Sequence, residues 1–184
     1  MNNPTIETIR SRRVTRYFSD QPVPKEILSV IVEAARWAPS GGNRRLQKFV
    51  VVTDPPTIKN IRIMAPGIDG VPAALIVVCT DWRKAGDQGF SQDHHSVYMD
   101  IGAAMENILL AAHALGVGAG PVTSFSQSAV QELLDLPDWL LPDLVVCLGY
   151  PGEKPPGGNV RPLKPLRWQD LIFWERYTEA EPKA

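Results

Sequence analysis

The chain has 184 residues, of which 44% are apolar and 21% charged, with a formal net charge of −1. That is the balance of one globular domain with a hydrophobic core. It argues against general affinity for nucleic acid, which calls for a basic surface, and against a membrane span, because the longest apolar stretch, residues 101–115, is interrupted by Glu106, Asn107 and His113.

Residues 1–16 are polar and end in charge, without the apolar core of a secretory leader, so the expected location is cytoplasmic. Residues 5–12 predict a short helix. Pro24 opens a second helix, since proline is tolerated in a first turn, and Ile27, Leu28, Ile31, Ala34 and Ala35 give it an apolar stripe. It ends near Trp37, where Pro39 and the pair Gly41-Gly42 break the pattern. A strand is expected over 49–53, a short helix over 57–64, and a second strand over 74–80 that is apolar on both faces. The longest helix, 96–115, is apolar almost all round, which marks it as central or as buried against a second subunit. Gly116 stops it. A glycine-rich strand follows near 117–122, then a helix from Ser126, a plausible N-cap, to Leu134, and a last strand over 144–150. Cys79 and Cys147 lie inside apolar strands and read as buried core thiols, not as a disulfide framework or a metal site. Residues 151–165 are too rich in proline and glycine for regular helix. They read as an extended arm leading to a short element at 168–177. The alternation predicts an α+β fold, a four- or five-stranded sheet with helices on both faces, as one domain over 1–184 with 151–184 as its C-terminal arm. Gly102, Ala103 and Ala104 on the long helix would let another helix approach closely, which points to a homodimer.

Three segments carry possible chemistry. Arg12, Arg13 and Arg16 flank the end of the first helix, and guanidinium forks suit phosphate oxygens. A solvated basic face is the other reading of that run, and the residues alone leave both open. The loop Pro39-Ser40-Gly41-Gly42-Asn43 has glycines that let backbone approach a flat ligand and an amide that both donates and accepts. A plain turn is its other reading. In Gly118-Ala119-Gly120-Pro121-Val122 the glycines do not open a helix after a strand, as a dinucleotide fingerprint would. A bare strand lying against a ring is the better reading. His94 and His95 are adjacent and point apart, so no metal is expected. No nucleophile elbow or P-loop is present. A possible phosphate grip without an evident nucleophile favours a protein that borrows its reactive group from a cofactor, and no residue is named as catalytic.

Four segments together resemble the nitroreductase family of FMN enzymes. The first is the stretch from Ile9 to Phe18. The second runs from Glu33 through Ala38-Pro39-Ser40-Gly41-Gly42-Asn43 to Phe49. The third runs from Asp100 to Gly118, and the last is Leu148-Gly149-Tyr150-Pro151. The resemblance implies a mostly antiparallel sheet and an intertwined homodimer with FMN at the subunit interface. It implies that Arg12 and Arg16 hold the flavin phosphate and ribityl chain, and that Arg13 contributes main chain. Pro39, Ser40, Gly41 and Asn43 of a neighbouring copy would meet the ring, and Gly120, Pro121 and Val122 would line its other side. Arg161 or Lys164 would close over the phosphate. Val14 stands where the family generally has serine, and Arg45, Leu46 and Gln47 replace the usual Gln-Pro-Trp. Arg45 is thereby expected near the pyrimidine edge, where a cation favours reduced flavin. Phe90, Tyr98 and Phe125 are expected as aromatic walls for substrate. The implied activity is hydride transfer from NADH or NADPH through FMN to an electron-poor small molecule, such as a nitroaromatic, quinone or activated alkene. Alternative readings are a flavin dehydrogenase or reductive dehalogenase on the same scaffold, or a non-catalytic flavin-binding protein.

Overall fold

Apolar, β-branched runs pair into one antiparallel sheet in the computed structural model, which describes residues 3–92, 94–154 and 167–177. The strands are β1 (Gln47–Val52), β2 (Ala74–Asp81), β3 (Gly118–Val122) and β4 (Leu140–Gly149), in the order β1-β2-β4-β3. Every residue of the central strand β2 is buried, as its unbroken apolar run requires of a strand covered on both faces. Alternate side chains feed two cores. Ile76, Val78, Leu144, Val146 and Leu148 point to one face, whereas Leu75, Val77, Cys79, Val145 and Cys147 point to the other.

Helices α2 (Lys25–Arg36), α4 (Trp82–Asp87) and α5 (His95–Ala114) contribute to the first core. Helices α3 (Pro55–Met64) and α6 (Gln127–Leu133) contribute to the second. The remaining helix, α1 (Pro4–Ser11), buries no residue of its own and lies along α5. The long helix α5 buries Val97, Ile101, Ala104, Ile108, Leu109 and Ala112 at helical spacing. Its Asn107 Nδ2 donates to the Ala34 carbonyl of α2 at 3.0 Å, which fixes the register of the two helices. Gly116, at φ +73°, ends the turn after α5 in the left-handed region, as its position implies. Ser126 accepts from the Ala129 amide and caps α6.

Two elements differ from expectation. Helix α4 is additional: Asp81 closes β2 and also caps α4 by accepting from the Lys84 amide at 2.9 Å. Strand β4 starts at Leu140 rather than near 144. Pro142 lies opposite Cys79 while Leu144 lies opposite Val78, so Asp143 is the additional residue of a bulge. Pro142 cannot donate to the ladder, and the bulge lets the strand continue past it.

The chain divides into two compact units, Met1–Glu153 and Lys154–Ala184. In the first, Pro151 bridges to Phe18 and the Gly152 amide donates to the Tyr17 carbonyl at 3.0 Å. In the second, Trp168–Asp170 form one 3-10 turn, and the rings of Phe173 and Tyr177 lie 4.6 Å apart. Among the described residues no helix is long and apolar enough to cross a membrane.

Candidate cofactor site

The arginine segment leaves α1 and docks on β3. Arg12 turns out of the helix into extended backbone. Val14 then forms a parallel bridge with Ala119, and the Thr15 amide donates to the Ala119 carbonyl at 2.8 Å. This approach is possible because Gly118 and Gly120 stand two residues apart on one face of β3. A Cβ on Gly118 would come within 2.6 Å of Thr15 Oγ1, and one on Gly120 would overlap the Thr15 carbonyl oxygen. The room left by these two glycines is thus taken by Thr15, and the glycine spacing fixes where the arginines emerge. Pro121 remains half-buried on the same strand, and Val122 packs into the second core.

The three arginines then part. Arg12 Nε lies 3.1 Å from Glu106 Oε1 of α5, an ion pair without aligned hydrogen-bond geometry. Arg13 Nη1 donates to the carbonyls of Arg10 and Arg12 at 2.7 and 2.8 Å, so it is spent on the end of α1. Arg16 Nε stands 3.9 Å from Asp69 Oδ2, a long pair between two half-exposed side chains. A hollow of about 380 Å³ opens beside Arg13, lined also by Ser11, Thr15, His113 and residues 116–119.

The second segment is a rigid loop. Gly42, Asn43 and Arg45 all have positive φ, at 59°, 55° and 51°. Such backbone is free for glycine, tolerated by asparagine, and costs about 1 kcal/mol for a residue such as arginine. The surroundings hold it in place. The Gly41 amide donates to both carboxylate oxygens of Asp100 on α5, at 3.0 and 3.1 Å. The Asn43 amide donates to the Ser40 carbonyl at 2.8 Å, and the Arg45 amide to Ser40 Oγ at 3.1 Å. Lys84 Nζ donates to the Arg44 carbonyl at 2.9 Å, and the Arg44 guanidinium sits 4.4 Å from the centre of the Phe90 ring. Arg45 Nε donates to Asn43 Oδ1 at 3.0 Å, so the side-chain oxygen of Asn43 is engaged. Strained backbone held this way belongs to sites that must present groups in fixed positions.

Each segment has its own anchor on α5, and no hydrogen bond or ion pair found among the described residues joins residues 12–16 to residues 39–45. Phe90 and Tyr98 lie on the loop's side of the sheet, where the Tyr98 hydroxyl donates to the Gln92 carbonyl at 2.8 Å. Phe125 packs against the core on the opposite face. Arg161 and Lys164 lie outside the described residues. Asp100 and Glu106 had no role in the sequence reading, because six positions on one helix is not the spacing of a working carboxylate pair. Each instead anchors one of the two segments. The Gly41 contact closes over 59 residues, which no local pattern announces.

Both thiols are inert. Burial pushes Cys79 and Cys147 up to about 12, leaving them protonated at neutral pH. No metal-binding group of three or more His, Cys, Asp or Glu is found among the described residues. What the site offers is the guanidinium groups of Arg12 and Arg16 and a stiff loop with an amide, a donor set that fits a ligand with an anionic tail and a flat polar ring.

The sequence profile of the Nitroreductase family matches residues 9–67 and 62–150. An FMN reductase [NAD(P)H] of Bacillus subtilis is 29% identical over 171 residues, covering 83% of this chain and 68% of that protein. An oxygen-insensitive NADPH nitroreductase of Salmonella typhimurium is 28% identical over 183 residues, covering 94% of this chain and 74% of its own length. The crystal structure of nitroreductase A from Vibrio parahaemolyticus superposes with a TM-score of 0.79 at 28% identity, over 97% of this chain and 79% of that one.

Proposed function

The chain belongs to the nitroreductase family, and on that premise we propose that it is an NAD(P)H-dependent FMN oxidoreductase acting on small electron-poor acceptors: nitroaromatics, quinones or activated alkenes. The observation that carries this reading is the arginine segment locked onto the glycines of β3, with Arg12 paired to Glu106 at Nε and its terminal nitrogens without a hydrogen bond among the described residues. The two terminal nitrogens of that guanidinium are the edge that grips a phosphate. Relatives named FMN reductase and NADPH nitroreductase support the same cofactor and donor.

In this reading Arg12 and Arg16 bind the phosphate and ribityl chain. Residues 13 and 14 contribute main chain, and the Arg13 side chain stabilises the turn. Pro39, Ser40, Gly41 and Asn43 of a second copy meet the ring, with Arg45 at its edge. On β3 half-buried Pro121 remains for the opposite wall, because Thr15 covers Gly120 and Val122 packs into the core, and Phe90 and Tyr98 border the substrate while Phe125 lies on the other face of the sheet. When bound, FMN supplies reversible hydride acceptance, the chemistry that no side chain here provides. The chain's own part is to bind and orient, and protons come from water. A homodimer is part of this reading, and exposed Trp37 and Met99, at 69% and 71%, offer apolar surface for it. A cytoplasmic location is part of the same proposal.

Donor and acceptor use the site in alternation, so initial-rate plots at several acceptor concentrations should give parallel lines. A panel of a nitroaromatic, a quinone and an enone, each with NADH and NADPH, tests this. Intersecting lines, or no turnover with any pair, contradict it.

A further inference from the structure

Helix α5 holds both segments through one carboxylate each, so in the shared site proposed above Glu106 of one copy and Asp100 of the other serve the same flavin. Asp100 and Glu106 are six residues apart, so they stand about 9 Å apart along the axis and about 120° apart around it. Asp100 accepts the Gly41 amide on both oxygens in a partly buried setting. Glu106 faces Arg12 Nε at 3.1 Å, with side-chain exposures of 41% and 25%.

These contacts do different work. The loop from Ser40 to Arg45 carries three left-handed residues, a conformation that would relax without an anchor. The charged, two-oxygen clamp of Asp100 on its first amide is such an anchor. It acts on the segment that faces the ring. A guanidinium has two usable edges, and no hydrogen bond from the Arg12 terminal nitrogens is found among the described residues. Glu106 holds the guanidinium by charge at its Nε side, without an aligned hydrogen bond, and leaves the two terminal nitrogens to a ligand. Glu106 therefore acts on the phosphate end.

Resting on the FMN reading above, we propose that Asp100 and Glu106 are positioning residues that divide the flavin between them: Asp100 sets the loop for the ring, and Glu106 orients Arg12 for the phosphate. Glu106 is thereby a determinant of preference for FMN over riboflavin, which has the same ring and no phosphate. The alternative physical effect has the opposite sign. If Glu106 merely competed with phosphate for Arg12, its removal would tighten FMN.

The test is a pair of titrations on the full-length chain stripped of flavin. Quenching of flavin fluorescence gives the affinity for FMN and for riboflavin, beside a thermal melt of each protein. Glu106→Gln should weaken FMN about tenfold, the scale of one misaligned charge-assisted contact, and leave riboflavin unchanged. Asp100→Ala should weaken both flavins by a similar factor, and Asp100→Asn, which keeps one acceptor oxygen, should restore most of the loss. Glu106→Gln that tightens FMN, leaves it unchanged, or weakens both flavins alike overturns the assignment of Glu106. Asp100→Ala that leaves both unchanged, or Asp100→Asn that rescues nothing, overturns that of Asp100. If Asp100→Ala does not fold, the partial loss expected in Asp100→Asn decides alone. A parent protein that binds neither flavin overturns the functional reading itself.

Discussion

Thr15 fits against β3 only because two side chains are missing opposite it. Gly120→Ala would drive a methyl group into the Thr15 carbonyl oxygen, and we expect it to cost about 1–3 kcal/mol in thermal or denaturant unfolding. An unchanged melt would show that the segment is not held there. Arg45 brings a permanent positive charge beside Asn43. With the loop at the flavin edge, Arg45→Gln should lower the reduction potential measured by dye equilibration, and an equal potential would place the charge elsewhere. Asp143 carries a consequence for pH. Burial pushes its carboxyl above the ordinary value, against a smaller opposing pull from Thr80. The folded protein therefore holds that proton more tightly than the unfolded chain does, and the penalty for ionising appears as pH rises through the raised value. Asp143→Asn removes the penalty. Its unfolding midpoint should exceed the parent's at pH 7, and the gap should close below the ordinary carboxylate range. A gap that widens in acid would refute this.

Among the elements, α5 bears most of the fold and both anchors of the site. Its own Ile108 is fully buried, so Ile108→Ala should cost about 2–5 kcal/mol in unfolding free energy, more than a truncation at exposed Met99. Much of this framework was legible in the sequence. Helical spacing gave α2 and α5, the unbroken run 74–80 gave a strand buried on both faces, and Gly116 gave the stop between α5 and β3. Local signals failed where one residue serves two elements or where partners are distant. Asp81 closes a strand and caps α4 in one side chain, so no loop remained to mark the boundary. Pro142 hid the first part of β4, because a bulge that accommodates proline depends on the opposite strand. Gly118 and Gly120 were visible as a spacing, but their partner, Thr15, lies about a hundred residues earlier. The arginine run and the bend at 39–43 stood out by residue type. Asp100 and Glu106 did not, because their work consists entirely of contacts across the fold.

For the molecule as a whole, the proposed site takes residues 12–16 from one copy and residues 39–45 from another. Sedimentation should find a dimer at micromolar concentration, and a monomer that retains full flavin binding would contradict the shared site. The central claim, that this fold holds FMN and charges it from a nicotinamide donor, is met most directly by an absorption spectrum of the purified protein under anaerobic conditions, before and after addition of NADH and NADPH. The account predicts a yellow protein, or one that turns yellow with added FMN, whose flavin band bleaches with at least one donor. A preparation that stays colourless with FMN present, or a bound flavin that neither donor bleaches, would contradict it.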